Sequence, residues 1–73
     1  MTYIQYMRHQ HHLTKKDMAE KLDMSITTYF RIEKSNDVGN FTFHQLSKIA
    51  MEFNITIDEL IYKSENFNKE SVQ

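Results

Sequence analysis

The stretch LTKKDMAEKLDMSITTYFRIEK, Leu13 to Lys34, decides the fold. Thr14 stands where a helix N-cap belongs, and Asp17 three residues on completes a capping box. The run Lys15 to Leu22 then carries Met18, Ala19 and Leu22 as its inward stripe. After Asp23 and Met24 a second capping residue, Ser25, opens a helix over Ile26 to Lys34, in which Tyr29 and Ile32 fall at i and i+3 and face inward. Two short helices joined by a turn of about three residues cannot bury both their apolar stripes alone, so the rest of the chain has to cover them.

Working outward, the spacing supplies that cover. On the N-terminal side Tyr3, Ile4, Met7 and the stem of His11 share one side of a helix over Thr2 to Gln10. On the C-terminal side Ser35 to Asn40, holding the chain's one glycine, Gly39, reads as a loop. Thr42 caps a helix over Phe43 to Phe53 whose stripe is Phe43, Leu46, Ile49, Ala50 and Phe53. Asn54 is a left-handed terminator, and Thr56 with Glu59 forms the capping box of a last helix, Ile57 to about Lys63. The expectation is an all-α domain of five helices over residues 1–63. Residues 64–73, with only Phe67 and Val72 apolar, are expected to be a frayed or disordered tail.

Seventy-three residues leave room for one domain, and 40% apolar residues make a small core. The absence of Cys excludes disulfides and thiolate metal sites; the absence of Pro and the single Gly argue against a turn-rich β protein. No apolar run approaches the roughly 20 residues that span a bilayer, and Met1 to Gln10 has no apolar signal core, so a cytoplasmic, membrane-free setting is expected. The formal net charge of −1 conceals an asymmetry. Residues 1–34 carry six cations against four anions and three of the four histidines, whereas residues 35–73 carry three cations against six anions.

A helix-turn-helix reads DNA by placing its second helix in the major groove, with side chains near its N-terminus at base edges. With Tyr29 and Ile32 turned inward, Ile26, Thr27, Phe30, Arg31 and Lys34 are left outside. Thr27 and Thr28 offer hydroxyls and methyls, and Arg31 suits guanine or a phosphate. Ile26 and Phe30 form no base hydrogen bonds. They fit a thymine methyl or the sugar-phosphate edge, an interior position if the helix is rotated, or a partner protein.

This ordered set resembles the lambda-repressor-like, or Xre-type, helix-turn-helix family. The matching residues are Ile4, Met7 and Arg8 in helix one, Leu13 to Leu22, Met24 to Lys34, Leu46, Ile49 and Ala50, and Phe53 to Ile61. The resemblance implies a DNA-binding regulator, with repression the expected direction, acting as a homodimer on a palindromic operator in double-stranded DNA. It implies an ion pair between Arg8 and Glu33, and contacts to DNA from Thr14, Lys15, Lys16, Ser25, Ile26, Thr27, Thr28, Phe30, Arg31, Lys34 and, with Ser35, Asn36. Ile57, Leu60, Ile61 and Phe67 are the candidate dimer surface. The family commonly has Gln in place of Lys15, Arg or Gln in place of Ile26, and Gly in place of His12, Asp23, Ser35 and Asn54. The loop before Phe43 is about two residues longer than is common.

The competing readings are a metal site, an enzyme and a protein-interaction module. His9, His11 and His12, at i, i+2 and i+3, do not converge from a helix, and no carboxylate completes a zinc spacing with them or with His44, so no metal or other cofactor is expected. No nucleophile with a matched base and no Gly-rich phosphate loop points to an enzyme. The alternative from another class is an anti-repressor or inhibitor that binds a partner protein through Ile26 and Phe30.

Overall fold

The computed structural model describes residues 1–71, with side chains described to Phe67. Five α-helices and one short 3-10 turn follow in order: α1 (Tyr3–Gln10), α2 (Lys15–Lys21), α3 (Ile26–Ser35), the 3-10 turn (Val38–Asn40), α4 (Phe43–Phe53) and α5 (Ile57–Ser71). Among the described residues there is no strand, and no helix is long and apolar enough to cross a membrane. The helix pair α2–α3 is closed by α1 against α3 and by α5, which packs on both α1 and α4. Ile4, Met18, Tyr29, Ile49 and Leu60, one from each helix, meet in a single core.

Each helix starts on a hydroxyl that takes an otherwise unpaired first-turn N–H. Thr2, Thr14 and Thr42 form reciprocal capping boxes with Gln5, Asp17 and Gln45. Ser25 Oγ accepts from the Thr28 N–H at 3.2 Å and Thr56 Oγ1 from the Glu59 N–H at 3.0 Å. The Asp17 carboxyl is held below the usual carboxylate range, first by its hydrogen bond from the Thr14 N–H and then by the Thr14 hydroxyl.

The helix ends share a second device. His12, Asp23, Asn36 and Asn54 lie in the left-handed region, at φ 56°, 57°, 59° and 58°. Beyond each, the chain turns back: Leu13 N–H to Arg8 O, Met24 N–H to Ala19 O, Asp37 N–H to Ile32 O and Ile55 N–H to Ala50 O. These are Schellman closures built without glycine, the residue that adopts this conformation at no steric cost. After α3 the left-handed residue is Asn36, one position later than Ser35.

Three expectations are corrected by the packing. Phe43 does not extend the buried stripe: it is 73% exposed at the first position of α4, and Phe41, arriving in extended backbone before the cap, fills the core against Tyr29 at 6.1 Å between ring centroids. The last helix does not end near Lys63: α5 continues to Ser71, with Ser64 buried and Phe67 lying on Tyr3 and Tyr6 at 5.7 and 5.4 Å. Val72, assigned to the tail with Gln73, lies outside the described residues. Leu60, expected at a dimer surface, is 0% exposed within the monomer core, so it is not available to a partner.

Candidate nucleic-acid interface

The inward side of α3 fixes how its outward side is presented. Glu33 is fully buried, and its carboxylate accepts from Arg8 Nε at 2.9 Å, Arg8 Nη2 at 3.3 Å and the Tyr29 hydroxyl. Arg8 Nη1 donates to the Leu13 carbonyl at 2.9 Å, and the Thr2 hydroxyl to the Glu33 carbonyl at 2.9 Å. One guanidinium thus ties α1 to the entrance of α2 and to the last turn of α3. Burial, and next the hydrogen bond to Glu33, hold the Tyr29 phenol far above its ordinary value of 10, so it stays a donor across ordinary pH.

Four residues, Leu22 to Ser25, connect α2 to α3. Asp23 N–H donates to Glu20 O at 3.1 Å and Met24 N–H to Ala19 O at 2.9 Å, so hydrogen bonds rather than loose chain set the angle between the helices.

On the outward side Thr27, Arg31 and Lys34 are exposed, and Ile26 is 46% exposed. At about 100° per residue, the inward direction set by Tyr29, Ile32 and Glu33 puts Thr27, Arg31 and Lys34 opposite. Ile26 and Phe30 form one shoulder and Thr28 the other. Lys15 and Lys16 are exposed at the start of α2. Among the described residues no carboxylate lies at ion-pair distance from Lys15, Lys16, Arg31 or Lys34, whereas Lys21 pairs with Glu52 at 3.5 Å and Lys63 with Glu59 at 3.0 Å.

Several of the sequence-predicted residues have other engagements. Lys15 Nζ sits 3.7 Å from the Phe30 ring centroid, a cation–π contact that spans α2 and α3 and leaves Phe30 half-buried. No sequence signal marks this pair, fifteen positions apart on two helices. Ser25 Oγ donates to Thr28 Oγ1 at 2.9 Å while accepting from the Thr28 N–H, so its one proton is spent on the cap. Thr14 is likewise a capping residue, accepting from the Asp17 N–H at 3.0 Å with its hydroxyl also on the Asp17 carboxyl. Asn36 is turned inward: its Nδ2 donates to the Ser64 carbonyl at 2.7 Å, which removes that amide from the outer face. Of the candidate dimer residues other than Leu60, Ile57, Ile61 and Phe67 are partly buried against the same core.

His11 stacks on Phe53 at 5.4 Å, apart from His9, which approaches Arg8. Among the described residues no group of three or more His, Cys, Asp or Glu is placed to hold a metal ion.

A family model described as Helix-turn-helix matches residues 4–60, most of the chain. The chain belongs to the Xre, or lambda-repressor-like, helix-turn-helix family. Neither a curated protein nor a solved structure matches it. Xre-type helix-turn-helix domains are DNA-binding regulatory domains and not typically enzymes. In this Xre-type domain the paired helices are α2 and α3, and the match runs from Ile4 to Leu60, taking in core residues from all five helices.

Proposed function

We propose that this chain is a sequence-specific transcriptional repressor that inserts α3 into the major groove of a palindromic operator, as a homodimer. The observation that carries the reading is the sorting of charge on α3 and its neighbour. Among the described residues the inward Glu33 is paired and buried, while Arg31 and Lys34, with Lys15 and Lys16 beside them, stand exposed with no carboxylate at ion-pair distance. Cations in that condition, on the side of a helix pair that fits a groove about 12 Å wide, suit phosphates and guanine edges. Arg31 is the side chain for a base edge or phosphate; Thr27, Thr28 and Lys34 flank it, and Lys15 and Lys16 lie along the backbone. Repression follows if the bound dimer occludes a promoter. Of the candidate dimer residues, Ile57, Ile61 and Phe67 remain partly exposed on α5 for a two-fold contact, which would set half-sites about 34–36 Å apart.

The alternative, a partner protein seated on Ile26 and Phe30, needs a continuous apolar patch, and the Lys15 ammonium over the Phe30 ring interrupts it. The test is retention of a random duplex library at about 50 and 200 mM salt, followed by sequencing, with Arg31→Ala alongside. A palindromic site should emerge, and its binding should fall steeply with salt as counterions are released. Arg31→Ala should weaken it by about 5- to 100-fold. Retention of no duplex even at low salt overturns the reading and makes the alternative the next to test.

A further inference from the structure

We propose that Ile26 is a specificity-determining residue that packs against the C5-methyl group of a pyrimidine in the major groove, so that one position of the site is read by an apolar contact. The proposal rests on the DNA-binding reading above. It adds which chemical group one side chain selects.

Ile26 is the first residue of α3, beside the exposed Thr27 and Arg31, and 46% of it is open to solvent. A base edge read at this place through hydrogen bonds needs a donor or acceptor; Ile26 has none, and the hydroxyl on its N-terminal side is already engaged. Ser25 has given its proton to Thr28 Oγ1 and accepts from the Thr28 N–H. The other apolar residue on this shoulder, Phe30, carries the Lys15 ammonium over its ring at 3.7 Å, and a hydrated cation there keeps the ring from a dry contact. Of the two outward apolar side chains, Ile26 alone is left open. The only apolar group that an unmodified base pair shows in the major groove is the thymine C5-methyl. A 5-methylcytosine shows the same group on a different hydrogen-bonding background, so both pyrimidines offer the chemistry Ile26 can read.

The experiment uses the full chain and the duplex it retains. Each thymine is replaced in turn by uracil, which removes the methyl and keeps the pairing and the O4 acceptor. Burying one methyl contributes about 0.8 kcal/mol, so one position per half-site should lose about fourfold in affinity. Ile26→Ala should lose that penalty at that position alone, falling below about 1.5-fold, with the helix content and Tm of the parent because the side chain is exposed. At the same position, C·G and 5-methyl-C·G pairs identify the source: methylcytosine above thymine assigns the methylated base, and thymine above methylcytosine assigns the ordinary one.

A uracil penalty that persists in Ile26→Ala overturns the role of Ile26. The absence of any uracil-sensitive position, with salt-dependent and Arg31-dependent binding intact, overturns methyl reading and leaves the regulator reading standing. Retention of no duplex overturns both.

Discussion

The two sides of α3 hold the same kinds of residue in opposite conditions. On the inward side Glu33 and the Tyr29 hydroxyl, with Arg8 brought against them from α1, satisfy one another with almost no solvent. On the outward side an arginine, a lysine and two threonines keep most of their hydrogen-bonding capacity unspent. Removing a group from the first set leaves a buried partner unsatisfied, which is expensive. Removing one from the second only returns surface to water. A charged residue on this helix therefore serves the fold or a ligand according to its angle around the axis, and neighbours in sequence can have opposite roles.

The sharpest comparison is between adjacent positions. Glu33→Ala strands the Arg8 guanidinium and the Tyr29 hydroxyl and should cost about 3–5 kcal/mol, much of the stability of a domain this size. Lys34→Ala should change stability by no more than about 0.5 kcal/mol while lowering the salt slope of DNA binding by about one. Urea melts of the two variants check this. Equal losses of stability would break the division between the two sides.

Tyr29→Phe removes one donor from Glu33 and keeps the ring. It should cost about 1.5–3 kcal/mol, the range for a hydrogen bond to a charged group. The Tyr29 phenol has a raised folded value, so its contribution is fully present below the unfolded value near 10 and is lost as pH rises beyond it. Between pH 10 and 11 the parent chain should therefore lose about 1 kcal/mol more than Tyr29→Phe does, read from melts in a pH series. Parallel curves would mean that Tyr29 is not a buried donor.

The smallest effect belongs to a residue on neither side. His12 is exposed and held at φ 56°, where a Cβ is strained. Gly relieves that strain but adds freedom to the unfolded chain, so His12→Gly should gain about 0.5 kcal/mol net. That is about 2–4 °C in Tm. A gain comparable to the Glu33→Ala loss would show that turn strain, not the buried charges, dominates the stability.

Most helix starts were legible because Thr or Ser precedes each one, and a short polar cap is a local signal. What failed was periodicity where tertiary packing overrides it. Phe43 keeps the spacing of the α4 stripe, yet it sits at the helix end that projects past the core, and Phe41 reaches the interior from extended chain. In α5 the inward row Ile57, Leu60, Ile61 continues through Ser64 to Phe67, but serine at the interior place reads as the end of an apolar pattern. The place suits a small residue because Asn36 bonds the backbone there. The outward residues of α3 were readable from helix geometry. The engagements of Lys15, Ser25 and Asn36 were not, since they depend on how close neighbouring groups come rather than on spacing.

The packing of Phe67 on Tyr3 and Tyr6 joins the two ends of the described side chains. Contacts between α2 and α3 are close in sequence, whereas this one spans some sixty residues and is slow to close. During synthesis α1 emerges first and waits for nearly the whole domain before its aromatic cover arrives. The aromatic cover of Tyr3 and Tyr6 therefore arrives only with α5, so a chain stalled before α5 leaves the exit tunnel would hold both tyrosines without it.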